Sequence, residues 1–143
     1  MPFSSRMITI QGRYLGGLRC EAVHGPSSNQ LVTDAPVDNR GKGEAFSPTD
    51  LAATSLGTCM ATIMGIKADD LGVNLEGLSF EVTKEMAAQP PRRISRLRVA
   101  FKMPPGLDEA TRTKLQRAAE TCPVHASLHP DIVVDTTYDW GDA

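Results

Sequence analysis

Two cysteines are the residues of this chain best suited to chemistry. Cys59 lies in the uncharged run Ser-Leu-Gly-Thr-Cys-Met-Ala, and Cys122 lies in Glu-Thr-Cys-Pro-Val-His. They are far apart in sequence, so only folding can join them. Two thiols on separate elements suit a redox pair, one reacting and the other resolving. Sulfur attacks as thiolate, which burial disfavours and a neighbouring cation favours. No charged residue occurs from Leu51 to Ile66, so the cation must come from elsewhere. Arg13, Arg19 and Arg40 are the candidates, since arginine keeps its charge when partly buried. A carboxylate would then orient the arginine. A second chemistry is metal binding: Cys122-x-x-His125-x-x-x-His129 has ligand spacing, with His24 or Cys59 as a fourth donor. Against both stands the plain reading. Cys59 and Cys122 would be small core residues, and His125 and His129 would be surface or interface polar groups. Cys20, on an expected strand, has no special context.

The elements that must position these groups are legible. Met7-Ile8-Thr9-Ile10 alternates into a strand, and Leu15-Gly16-Gly17-Leu18 reads as a hairpin turn. Leu18 to Val23 would return, and Gln30 to Asp34 would add a third antiparallel strand. Residues 35–46 read as a long loop, which in a small domain is often functional. Ser47-Pro48-Thr49-Asp50 then has capping-box form: a Ser cap, Pro at the first helical position and an acid three residues after the cap. The helix that follows is apolar nearly all round and should end near Leu71-Gly72. Such a helix is hard to cover in a short chain, so we expect a homodimer.

Beyond it, Leu78, Phe80 and Val82 alternate with polar residues, as do Leu97, Val99, Phe101 and Met103. This is an antiparallel hairpin with one wet face, connected through Pro90-Pro91. A second helix starts near Asp108, with Leu115, Ala118, Ala119 and Cys122 at helical spacing. Cys122 is therefore expected in its buried stripe, with Pro123 ending the helix or starting a short one through Leu128. Ile132 to Tyr138 reads as a last strand. The fold class is α+β, antiparallel sheet on two main helices. It forms one domain over 1–143, with an N-terminal sheet and loop (1–46) and a helix–hairpin–helix–strand part (47–143).

The 143 residues suffice for one core; 41% are hydrophobic, 22% are charged and the net charge is −2. That balance gives no electrostatic reason for a nucleic-acid or anionic-membrane partner. The cluster Arg92, Arg93, Arg96 and Arg98 lacks interleaved aromatics and reads as a solvated hairpin face. Met1 to Arg6 lacks the apolar core of a signal peptide, and with three cysteines the expected location is cytoplasmic.

Phe46-Ser-Pro-Thr-Asp-Leu-Ala-Ala-Thr-Ser-Leu-Gly-Thr-Cys59-Met and Cys122-Pro-Val-His125 resemble the OsmC/Ohr family of organic hydroperoxide-handling proteins. The resemblance implies an intertwined α+β homodimer with two long central helices and active sites at the subunit interface. It implies a cysteine peroxidase acting on organic or fatty-acid hydroperoxides, with Cys59 peroxidatic and Cys122 resolving. It also implies a dithiol reductant, often a lipoyl group, and no metal, haem or flavin cofactor. Arg40 stands where the OsmC branch carries its arginine; the Ohr branch would point to Arg13 or Arg19. The family's first-turn Glu falls on Thr49 here. Glu44 in the loop is the carboxylate that could replace it, because Asp50 is claimed by capping. This departure motivates an alternative: a non-enzymatic redox-sensing or apolar-ligand-binding protein.

Overall fold

A computed structural model of the chain describes residues 7–141. The stretch Met1 to Arg6, read above for the lack of a leader, lies outside the described residues. Tertiary contacts divide the chain into two units, one ending at Leu51 and the other starting at Ala52.

The N-terminal unit holds a three-stranded antiparallel sheet in the order β1 (Ile10–Gly16), β2 (Arg19–His24), β3 (Gln30–Asp34). The strands fall where alternation and turn residues placed them, except that β1 starts at Ile10 rather than Met7. The register sets Arg13 opposite Glu21 and Tyr14 opposite Cys20. The loop that follows contains a single 3-10 turn, Val37–Asn39, ended by Arg40 in the left-handed conformation. Backbone hydrogen bonds close the loop: Asp34 N–H donates to the Phe46 carbonyl at 3.1 Å.

Helix α1 (Pro48–Leu71) begins on the expected reciprocal cap. Ser47 N–H donates to Asp50 Oδ2 at 2.9 Å, and Asp50 N–H donates to Ser47 Oγ at 3.1 Å. Its other end is a Schellman motif. Gly72 takes φ 68°, Val73 N–H reaches the Ala68 carbonyl at 2.9 Å, and Gly72 N–H reaches that of Asp69 at 3.2 Å.

The C-terminal unit packs α1 and a second helix on a three-stranded sheet. β4 (Ser79–Met86) and β5 (Ile94–Lys102) form the expected antiparallel hairpin. Leu97, Val99 and Phe101 are buried, while Arg98, Ala100 and Lys102 face out. On the wet face Arg98 pairs with Glu85 at 2.9 Å, and Arg96 pairs with Glu85 at 3.5 Å and with Asp135. Part of the basic cluster is thus neutralised across strands. α2 (Glu109–Glu120) starts where Asp108 accepts the Thr111 N–H at 2.8 Å. After α3 (Pro123–Ser127), β6 (Val133–Asp139) joins the free edge of β5.

Two expectations need correction. The second sheet is mixed rather than antiparallel, because β6 runs parallel to β5. The crossover through α2 and α3 is what permits this, since parallel neighbours cannot be joined by a tight turn. Cys122 also lies off α2. The residue before a proline is driven out of helical geometry, and Cys122 sits at φ −63°, ψ 140° as the N-cap of α3. It is buried nonetheless.

The core is made of Leu56, Met60 and Met64 from α1, Leu97, Val99 and Phe101 from β5, Leu115 and Ala119 from α2, and Cys122. α1 reaches β4 at Gly57, where a Cβ would fall 2.6 Å from Val82 Cγ2 and 2.7 Å from Phe80 Cε2. By length and composition alone α1 could also cross a membrane, but its Leu56–Met60–Met64 face is fully buried in this core. On its opposite flank Thr58, Thr62 and Ile66 are exposed among the described residues.

Candidate active site

Cys59 and Cys122 meet in the C-terminal unit. Cys59 stands mid-way along α1, half-buried, between buried Leu56 and Met60. Cys122 arrives from the α2–α3 corner with no exposure at all. Its sulfur accepts the His125 N–H at 3.2 Å, so the thiol acts as the cap of the one-turn helix that follows. Burial pushes the Cys122 thiol above its ordinary pKa. The His125 N–H opposes this, and the neighbouring Cys59 thiol raises the value further. The two sulfurs are therefore unequal. One is half-accessible; the other is enclosed and held protonated beside it.

The remaining predicted residues divide as follows. Arg19 of β2 is bound to two carboxylates: its guanidinium lies 2.7 Å from Glu44 Oε2 and 3.6 Å from Asp34 Oδ2. Glu44 is thus joined to Arg19 rather than Arg40, which sits exposed at the end of the 3-10 turn. Arg13 pairs with Glu21 at 2.9 Å on the sheet surface. Thr49 Oγ1 lies 3.2 Å from Ser47 Oγ in the cap, and Asp50 is the capping acid. Cys20 is exposed on β2.

The metal spacing does not assemble. Among the described residues, no three His, Cys, Asp or Glu side chains gather as an ion would require. His129 is exposed and accepts the Asp131 N–H at 3.0 Å, while His24 Nδ1 lies 2.6 Å from Ser27 Oγ.

Two residues carry more than the sequence suggested. Asp34, read only as a strand end, is 1% exposed. Its Oδ2 accepts the Glu44 N–H at 3.0 Å, and its Oδ1 is buried without a partner. The Glu44 N–H lowers its pKa most; burial opposes this and the Arg19 charge adds to the lowering. No local signal marks Asp34 in the sequence. His125, read as a surface or interface group, has a buried Nδ1 with no hydrogen-bond partner. Its position three residues after Cys122 was the available signal.

A family model described as OsmC-like protein matches residues 41–137. The chain belongs to the OsmC-like family. It is 49% identical, at a TM-score of 0.88, to a Psychrobacter arcticus protein provisionally described as an osmotic stress induced and detoxification response protein; the match covers 96% of this chain and 99% of that one. An organic hydroperoxide resistance protein OsmC from Legionella pneumophila aligns at 19% identity and a TM-score of 0.73, over 96% and 99% of the two chains. An organic hydroperoxide resistance protein from Elizabethkingia anophelis aligns at 13% and 0.74, over 95% and 99%. At those identities the likeness shows the OsmC-like fold. No protein of curated function matches the chain significantly.

Proposed function

We propose that this OsmC-like protein is a thiol peroxidase that reduces organic hydroperoxides to alcohols in oxidative-stress defence. The observation that carries this reading is the pairing of a half-accessible Cys59 with an enclosed Cys122 in one core. Cys59, as thiolate, attacks the outer peroxide oxygen. The O–O bond breaks, the alkoxide leaves and is protonated to the alcohol, and Cys59 becomes a sulfenic acid. Cys122 then displaces hydroxide from that sulfur, giving the Cys59–Cys122 disulfide and water. A dithiol of lipoyl type restores both thiols by exchange. Burial favours Cys59 as the first nucleophile, because it keeps Cys122 protonated until an electrophilic sulfur is beside it. The neighbours Leu56, Met60 and Ile63 suit an alkyl peroxide over hydrogen peroxide.

The arginine we assign to the reaction is Arg19, because Glu44 holds it in the arginine–carboxylate arrangement that the family resemblance calls for. A homodimer in the cytoplasm is part of the same proposal. The uncovered flank of α1 supports the dimer. Thr58 and Thr62 turn their hydroxyls onto the helix carbonyls of Thr54 and Thr58, at 2.9 and 2.8 Å. Their methyl groups are left beside the exposed Ile66, an apolar flank that a second copy would cover.

The test is the oxidation rate of the reduced protein by cumene hydroperoxide, with hydrogen peroxide run in parallel and the product mapped by mass spectrometry. Fast oxidation that favours the organic peroxide and ends in the Cys59–Cys122 disulfide is expected. Oxidation no faster than that of a free thiol would refute the reading and leave redox sensing or apolar-ligand binding as the function of the pair.

A further inference from the structure

The peroxidase cycle returns to its start only when an external thiol opens the Cys59–Cys122 bond, and the two sulfurs offer it unequal ways in. The external thiolate displaces one sulfur from the other along the line of the bond, so it must arrive from beyond the sulfur it attacks. Cys59 stands half-buried on α1. Cys122 has no exposed surface, so every line of approach to its sulfur runs through the core. A second copy laid on the α1 flank removes surface and adds none, so Cys122 stays as enclosed in a dimer as in the single chain.

Leaving-group strength pulls the other way. The sulfur that is not attacked departs as thiolate, and a thiol of lower pKa departs faster. Burial raises the Cys122 pKa, which by itself would make Cys59 the better leaving group and Cys122 the better target. Two contacts at the α2–α3 corner oppose this. The Cys122 sulfur caps α3 and accepts the His125 N–H at 3.2 Å, and the Val124 N–H also lowers its pKa. A thiolate expelled there meets donors already in place, and hydrogen bonds to an ion are the stronger kind. Attack on Cys122 has no such compensation, because a sulfur without access is not reached however good the leaving group. Access therefore decides between the two.

We propose that the reductant attacks Cys59 rather than Cys122, and that Cys122 is the leaving group, received by the backbone N–H groups of His125 and Val124. The reductant thiolate bonds to the Cys59 sulfur; the Cys59–Cys122 bond breaks and its electron pair stays on Cys122. The second thiol of a dithiol then attacks the reductant sulfur held on Cys59 and frees Cys59. The dithiol ends as its cyclic disulfide, both cysteines end reduced, and the two thiol protons of the dithiol replace those that the cysteines had lost. The inference rests on the thiol pair of the preceding section but not on its peroxide substrate.

The experiment therefore makes the disulfide without peroxide. The Cys20→Ser protein is oxidised with diamide, excess cysteamine is added, and samples are quenched in acid at a series of times for peptide mapping. Cysteamine has one thiol, so its mixed disulfide cannot be resolved from within as a dithiol's is. The adduct is expected predominantly on Cys59, with Cys122 recovered as a free thiol in the same molecules. Adduct on Cys122 at a level equal to that on Cys59, or above it, would overturn the proposal. So would complete reduction with no adduct on Cys59 at any time. Failure of diamide to join the two cysteines would remove the thiol pair itself, and the inference with it. Failure of the peroxidase reading alone would show separately, in the cumene hydroperoxide assay, with the position of the adduct unchanged.

Discussion

Gly57 and Gly65 occupy the same helix, yet one substitution should have opposite effects at the two sites. At Gly57 an added methyl would lie 2.6 Å from Val82 Cγ2 and 2.7 Å from Phe80 Cε2. Carbon atoms in good contact sit roughly 3.5–4.0 Å apart, so the overlap is about 1 Å with two side chains at once. Val82 is β-branched and stiff, and the Phe80 ring is packed against the core and tilted against the Phe101 ring. Overpacking of this kind costs about 1–3 kcal/mol, against a gain of about 1 kcal/mol for replacing glycine by alanine in a helix interior. The net for Gly57→Ala is a loss of about 1 kcal/mol. At Gly65, on the flank proposed for the second copy, a Cβ meets nothing within 4 Å of its own chain, so in the separated protomer only the helix gain remains. Gly65→Ala should stabilise by about 1 kcal/mol, leaving the two variants about 2 kcal/mol apart. With a urea slope of about 2 kcal/mol/M, the unfolding midpoints should differ by about 1 M at equal protein concentration. Gly57→Ala should also slow disulfide closure, since it shifts α1 two residues before Cys59. Equal stabilisation by both substitutions would refute the close approach of α1 to β4 at Gly57.

Three further outcomes are expected. Cys59→Ser should abolish peroxide turnover, whereas Cys122→Ser should still reduce one equivalent and then accumulate sulfinic Cys59, read by intact-protein mass. Arg19→Met should slow peroxide oxidation of Cys59 on the order of a hundredfold, the scale for losing one preorganised electrostatic group, while Arg40→Met should change it little; the reverse order would reassign the arginine. Asp34 has a folded pKa below its ordinary 3.8, so its contribution to stability is present above that value and is lost as pH falls through the lower folded one. Urea unfolding should therefore show wild type ahead of Asp34→Asn at neutral pH, with the gap closing below about pH 4; a pH-independent gap would contradict the Glu44 and Arg19 contacts.

The sequence alone determined the elements and both thiols. Ser47 and Asp50 fix the start of α1 and Gly72 its end, because caps and left-handed glycines act over a few residues. Alternation located β4 and β5, because burial on one face of a strand repeats every second residue. Cys59 and Cys122 stood out by residue type and context. What only tertiary structure decided is long-range. Nothing in Val133–Asp139 states that it pairs parallel with β5, since strand direction depends on how the crossover returns. Pro123 did hold the information that Cys122 leaves α2, but its helical spacing from Leu115 and Ala119 favoured the wrong frame. Glu44 chose Arg19 over Arg40 through a contact between residues 25 positions apart. Asp34 and the His125 Nδ1 gained importance from burial, which neither residue type announces. Local sequence specifies φ, ψ and periodicity; which polar atoms are left enclosed without partners is set by segments that meet only in the folded chain.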